Sequence, residues 1–474
     1  MNLMGLGLNL KGEALFKPVD AATAAKELVA ALRRTGAAVE RVSVATQEAA
    51  SFRGEVQRAT RDLGDPRTAG WTFLINRNDP RRTELEQAVR PLALHRGMAD
   101  PQTPLLYDGE PSDAWFDWMN DTYYALQLEG KVVPQYILIL GGPDQVPFGL
   151  QSILDTVANV GRLDFDTEDG LQPYNDYIQK LIRLENAPDP LVNRQAILFG
   201  PDGGYSDPTY FSRRYMVQPL RDHIRDDLGF ETQLLVKNQA TKARLVEALS
   251  TQQPALVYTA SHGLGAIEET EDIQRRYNGA ICCQHSGELN LDHLFSAEDV
   301  PMDRPFLEGA VFFQFACFGY GTPAESDFTH WLTGLPEHYT HQDFVAALPK
   351  RLLAHPRGPV AFIGHLDTAF LHGFSDAESP YLLDRWHNRI EPFVSAVDGL
   401  LAVQPSGLVM QDMNARYAIC NTLISSTYDR EKRGKLTWNP QLEARFLDTW
   451  ITRSDAQNYM VLGDPAAHLR IPAP

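Results

Sequence analysis

From about residue 134 the chain alternates between short, unbroken apolar runs and longer stretches whose apolar positions recur every three or four residues. The runs "YILIL", "AILFG", "ALVYTA", "AVFFQFA" and "VAFIG" show no in-and-out alternation, so each reads as a strand buried on both faces. Between them, "LQPYNDYIQKLIRLENAP", "DPTYFSRRYMVQPLRDHIRDDLG", "TKARLVEALSTQ" and "HQDFVAALPKRLLAH" carry helical periodicity, with Asp, Thr, Asn, Gly and Pro at their ends. Two further helical stretches, 410–430 and 440–451, close the pattern. Doubly buried strands alternating with helices predict an α/β fold with a mostly parallel, doubly wound sheet flanked by helices.

The first hundred residues fit this rhythm less well. "DAATAAKELVAALRRTG" (20–36) reads as an amphipathic helix opened by Asp and closed by Gly, and "GWTFLIN" (70–76) as a strand. Residues 101–111 are rich in Pro, Asp and Gly, as a linker is. The expected organisation is therefore an extra N-terminal region, 1–110, serving as a prosegment or docking domain. A first α/β subdomain at 111–190 and a catalytic subdomain at 191–474 follow it.

Composition narrows the partners. The formal charge is 43 − 61 = −18 over 474 residues, and a nucleic-acid surface needs the opposite excess. Four cysteines form no disulfide framework, the opening residues lack a basic flank and a sustained apolar core, and no run approaches a membrane span. A cytoplasmic protein with neither nucleic-acid nor membrane partner is expected. Cys282, Cys283, His285 and His293 match no zinc spacing, and "DFDTEDG" misplaces its glycine for a calcium loop, so neither metal nor cofactor is expected. "GLGLNLKG" follows no strand and is not read as a dinucleotide loop.

Two strands end in a reactive residue and glycine: "YTASHGLG" at His262 and "QFACFGYG" at Cys317, 317 − 262 = 55 residues apart. Functional groups of open α/β sheets gather beyond the carboxyl ends of strands, so neighbouring strands would bring these two together. A nearby imidazole favours the thiolate, and the backbone N–H groups of Gly263 and Cys317 would form an oxyanion hole. Each residue alone is more often a core thiol or a structural histidine. The pairing at two glycine-flanked strand ends favours acyl transfer, most simply peptide hydrolysis.

The His-Gly and Ala-Cys pair resembles that of the caspase-like (clan CD) cysteine peptidases, and the order of lesser motifs resembles the gingipain-type branch. "LILGGPDQVPF", "NVGRLDFDTEDGLQPYNDYIQKLIRLE" and "VLGDPAAHLRI" follow that branch's order over about residues 134–474. The resemblance implies a caspase-like fold and a cysteine endopeptidase, with Cys317 as nucleophile and His262 as general acid and base. It implies cleavage after Arg or Lys, with Asp207 of "GYSD" at the floor of S1 and Asp367 as the rival acid. Asp207 also reads as a helix N-cap before Pro208. Gly364, His365 and Leu366 are expected to pair with the substrate backbone.

Basic sites at 268–279 and 429–435 are candidate processing loops of a zymogen, acted on by the protein itself or by an activating protease. The partners expected are a peptide or protein substrate and a regulatory protein. The rival readings are a catalytically inactive caspase-fold scaffold that binds a protein, and a different acyl-transfer enzyme such as an amidohydrolase.

Overall fold

Ten of the apolar runs pair into one sheet. In chain order these are β1 (Trp71–Asn76), β2 (Leu105–Tyr107), β3 (Tyr136–Leu140), β4 (Asn159–Leu163), β5 (Asn193–Gly200), β6 (Glu231–Val236), β7 (Pro254–Ala260), β8 (Val311–Phe315), β9 (Ala361–His365) and β10 (Tyr459–Leu462). The computed structural model describes residues 2–35, 62–98, 100, 103–166, 170–336, 338–374 and 383–473.

The strand order is β2-β1-β3-β4-β10-β9-β8-β7-β5-β6. Every neighbouring pair is parallel except β9 with β10, where Phe362 faces Leu462 and His365 faces Tyr459. The sheet is thus two parallel halves of five strands joined antiparallel, so their carboxyl ends point to opposite edges. Both faces are covered, as the runs predict. Phe73 and Ile75 enter one apolar cluster while Leu74 between them enters another, and Leu138 and Leu140 alternate in the same way with Ile137 and Ile139.

β1 and β2 lie before residue 110, yet β1 pairs along its length with β3. The boundary expected at 110 therefore falls inside the first half of the sheet, and the expected linker holds β2. All six residues of β1 are buried, so it belongs in a sheet interior and not on an appendage.

The stretch 2–35 has a different place. Asn2–Leu3 pairs with Val19–Asp20, and Gly7–Leu8 joins a small sheet with Gly263–Leu264, Ile281–Cys282 and Leu294–Phe295. Helix α1 (Ala21–Thr35) follows, opened by Asp20, which accepts the Thr23 N–H at 3.0 Å. Ala24, Leu28 and Leu32 of α1 share an apolar cluster with Phe446, Leu447 and Ile451 near the end of the chain. This anchors the opening residues to the half that carries His262 and Cys317.

Candidate active site

β7 and β8 are parallel neighbours with Ala260 opposite Phe315, and His262 and Cys317 each lie two residues beyond those ends. The pairing runs past the strands, since the Ser261 N–H donates to the Phe315 carbonyl at 3.1 Å. Gly263 is required by crowding: a Cβ there would stand 1.9 Å from the Cys317 carbonyl oxygen. Phe318, directly after the thiol, takes a left-handed φ of 58°, which a non-glycine residue adopts only under local constraint. Its N–H donates to the Asp367 carbonyl at 2.9 Å, holding the turn that presents Cys317.

The imidazole of His262 is buried, with Nε2 2.9 and 3.1 Å from the two carboxylate oxygens of Asp207. Asp207 also accepts from the Thr209 N–H at 2.8 Å and from the Thr209 hydroxyl. Burial would raise the Asp207 carboxyl, but the hydrogen bond and charge of His262 and the Thr209 donors outweigh it and bring it down to about 2. An ionised carboxylate only accepts, so the Nε2 that faces it carries a proton. Nδ1 is buried and has no hydrogen-bond partner among the described residues.

Cys317 is wholly buried; Sγ accepts the Ala369 N–H at 3.2 Å and lies 3.6 Å from the Ala369 carbonyl. Burial pushes its thiol well above the usual range, against the lowering effect of Ala369. The N–H groups of Gly263 and Cys317 converge on one oxygen, the Leu6 carbonyl, at 2.9 and 3.4 Å. A second carbonyl from the chain itself therefore sits where the expected oxyanion hole would hold one.

The remaining expected residues fall elsewhere. Asp207 caps the helix Pro208–Ser212 at the carboxyl edge of β5, beside β7, and this places its carboxylate on His262. Gly364 and His365 pair with Met460 and Tyr459 of β10, and the Leu366 N–H donates to Asn458. Both edges of β9 are occupied, by β8 and β10, so no peptide can pair with Gly364–Leu366. His365 is fully buried, edge-on to Tyr459 and 3.4 Å from Asp455. Asp367 is buried, accepting from Ser326 Oγ at 2.7 Å and the Thr368 N–H at 2.6 Å; burial raises its carboxyl to about 7.

The candidate processing sites are helical: Glu271–Tyr277 forms one helix, with Arg275 on Glu271, and residue 432 ends another, with Arg433 on Asp429. Cys282 and Cys283 are buried and the rings of His285 and His293 stack at 5.1 Å; among the described residues no group of three or more His, Cys, Asp or Glu is placed to hold a metal. The central residues of "DFDTEDG", 167–169, lie outside the described residues. Among the described residues no helix is long and apolar enough to cross a membrane.

Sequence reasoning missed Leu6 and Leu371, while Ala369 falls within the stretch 361–370 expected to line the cleft. The signal for Leu6 is present in "LMGLGLNL", where glycine alternates with leucine or methionine as in a strand with one bare face, the mark of a close backbone approach.

No family model and no curated protein matches the chain. Among solved structures it is similar to the Arg-specific cysteine proteinase gingipain R (RgpB), at 14% identity and TM-score 0.46, over 85% of this chain and 78% of that one. It is also similar to the complex of the pro- and mature domains of Porphyromonas gingivalis RgpB, at 12% identity and TM-score 0.45, over 85% and 80%. A third structure, described as a protease, aligns at 11% identity and TM-score 0.46, over 84% and 78% of the two chains.

Proposed function

We propose that the protein is a cysteine endopeptidase in which Cys317 attacks, His262 moves the proton and Asp207 orients the imidazole. The observation that carries this reading is the convergence of two backbone N–H groups on one carbonyl beside Sγ. In the reaction Sγ, deprotonated by Nδ1, adds to the substrate carbonyl, whose oxygen is held by Gly263 and Cys317. Nδ1 returns the proton to the leaving amine, and water then hydrolyses the thioester. Asp207 holds Nε2–H throughout, keeping the lone pair of Nδ1 on the reacting side.

Cleavage after Arg or Lys needs a carboxylate free to meet the cation. Asp207 is engaged by His262 and Thr209, and Asp367 by Ser326 and Thr368. Neither supports the basic preference. The residue whose carbonyl occupies the oxyanion position is Leu6, fully buried within the main apolar cluster. We therefore assign P1 to an apolar side chain.

Fluorogenic peptides differing only at P1, as Leu, Met, Arg, Lys or Asp, test both parts. Hydrolysis that persists in Cys317→Ala would sink the mechanism, and faster release after Arg or Lys than after Leu would sink the apolar assignment.

A further inference from the structure

The cleft beside Cys317 already contains a peptide: residues 4–8 of the chain itself. On one side these residues lie antiparallel to the stretch after β9. Gly5 bridges Phe370, the Leu6 N–H donates to the Ala369 carbonyl at 2.8 Å, and the Leu371 N–H donates to the Met4 carbonyl at 3.0 Å. On the other side Gly7–Leu8 runs parallel to Gly263–Leu264, and the Gly265 N–H donates to the Leu8 carbonyl at 2.8 Å. The segment therefore adds a strand to the small sheet on one side and bridges the stretch after β9 on the other, the way a bound peptide adds a strand. In peptidase register Met4, Gly5 and Leu6 take P3, P2 and P1, and the Leu6–Gly7 bond lies at the thiol. A Cβ on Gly7 would stand 3.3 Å from Sγ.

The rest of the loop keeps the segment in place. After a turn at Gly12 (φ 77°) the chain doubles back, and the Leu15 N–H donates to the Gly7 carbonyl at 3.0 Å. Leu15 and Phe16 cover the bare face: a Cβ on Gly7 would meet Leu15 at 2.5 Å, and one on Gly5 would meet Phe16 at 2.8 Å. The Phe16 ring packs against Phe370 at 6.1 Å and Tyr339 at 6.3 Å. The ends of the loop are pinned together where Asn2–Leu3 meets Val19–Asp20, while its tip at Lys11, Glu13 and Ala14 is exposed. Lifting residues 4–18 out would thus leave α1 on its apolar seat. With the loop in place Cys317 is wholly buried and no substrate carbonyl can reach its N–H.

We propose that residues 4–8 are an intramolecular blocker of the peptide cleft, bound in substrate register with Leu6 at P1, and that the site opens when this loop is displaced. The register rests on the peptidase reading, but the blockade is tested without it. Gly7→Val drives a side chain into Leu15 and Sγ, and Leu6→Asp places a charge in an apolar seat. Both variants and wild type are treated with iodoacetamide, labelling at each cysteine is followed by mass spectrometry, and hydrolysis of a P1-Leu peptide is measured alongside.

Cys317 should label at least about tenfold faster in both variants, because reactivity of a buried thiol tracks local opening, while Cys420 stays protected. Equal Cys317 labelling in wild type and folded variants overturns the blockade. Faster labelling with no hydrolysis upholds the blockade and removes the peptidase reading; full hydrolysis by wild type does the reverse. If all cysteines label together, the variants have unfolded, and amide exchange in wild type decides instead. Slow exchange at Leu6, Gly263 and Leu371 upholds the blockade, and exchange at the rate of exposed loops overturns it.

Discussion

The two halves of the sheet are built alike and finished differently. In the first half the turn at the carboxyl edge is filled by one guanidinium whose three nitrogens all donate. The fully buried guanidinium of Arg162, on β4, donates to the carbonyls of Gly141 and Val146 and to Gln151, filling the turn after β3. In the second half the corresponding edge carries His262 and Cys317, with Nδ1 lacking a partner among the described residues and the thiol lying beneath residues 4–8 and against Ala369. Closing off every donor and acceptor stabilises a fold; chemistry requires that one or two be kept available.

That contrast explains what the gingipain-like motifs do. "GGPD" is the turn filled by Arg162 of "VGR". Glu185, ending α3 (Gln172–Asn186 with α2 at Arg82–His95 beside it), takes two bonds of 2.6 Å from Arg96 and one of 2.7 Å from His95. Asp464 of "LGDP" accepts from Arg96 at 2.7 Å and from the Trp71 indole at 2.9 Å. These motifs are supports of the first half and of β10, whereas His262 and Cys317 lie on the second half.

The sharpest break between the halves comes from single substitutions. In the loop-displaced Gly7→Val background, used for every kinetic comparison here, Cys317→Ala should lower peptide hydrolysis by at least about 10³-fold, as loss of a nucleophile does, with a fall in unfolding free energy of no more than about 1–2 kcal/mol. Arg96→Met should do the opposite. It strands the buried carboxylates of Asp464 and Glu185, at a cost of about 3–5 kcal/mol in unfolding free energy, while kcat/KM of the folded fraction at low temperature holds. A stable Arg96→Met protein, or one with selectively altered KM, would show that the first half takes part in the site.

Asp207→Asn separates positioning from specificity and should have a smaller effect. Asparagine can still cap Pro208–Ser212 but presents no charge to Nε2–H. The expected loss is about 10²-fold in kcat/KM with the same P1 ranking, since a general base is weakened and no pocket altered. A change confined to Arg and Lys peptides would instead put Asp207 in S1.

The central architecture was legible because doubly buried strands have few alternatives: "YILIL" and "AVFFQFA" can only be sheet interior. His262 and Cys317 were legible because strand ends position them independently of detail. The partner of His262 was not, since Asp207 before Pro208 reads equally as cap, pocket floor or imidazole partner, and only the adjacency of β5 and β7 decides. Within the stretch 361–370 read as lining the cleft, Gly364–Leu366 are taken by β10 and its preceding turn, while residues 4–6 bond Ala369 and Leu371. Nothing local says that β10 arrives from the far end of the chain to occupy the free edge of β9. The blocking strand escaped for the same reason: its two partners, Gly263–Leu264 and Phe370, are separated from it by hundreds of residues.

The smallest effects lie in the pH dependence of stability, and there the halves differ in sign. Burial opposes the ionisation of Glu185, but His95 and Arg96 outweigh it and lower the carboxyl from 4.5 to about 2. The folded protein thus binds that proton more weakly than the unfolded chain. Its contribution is complete above pH 4.5 and disappears as pH falls toward 2. Asp367 is the converse: burial raises it from 3.8 to about 7, so its contribution is complete below pH 3.8 and is lost as pH rises toward 7. Each single proton changes unfolding free energy by at most about 1.4 kcal/mol per pH unit. Chemical denaturation from pH 2 to 8 should therefore show Glu185→Gln reducing the slope of the acid limb and Asp367→Asn reducing the slope of the decline from pH 4 to 7. A slope between pH 4 and 7 that is the same in wild type and Asp367→Asn would leave the decline to the other acids raised by burial, Asp164 and Asp343, and would mean that the Asp367 carboxyl is ionised in the folded protein. The acid beside the cleft would then be charged and available to a basic P1 residue, and the apolar assignment drawn from Leu6 would lose its electrostatic support.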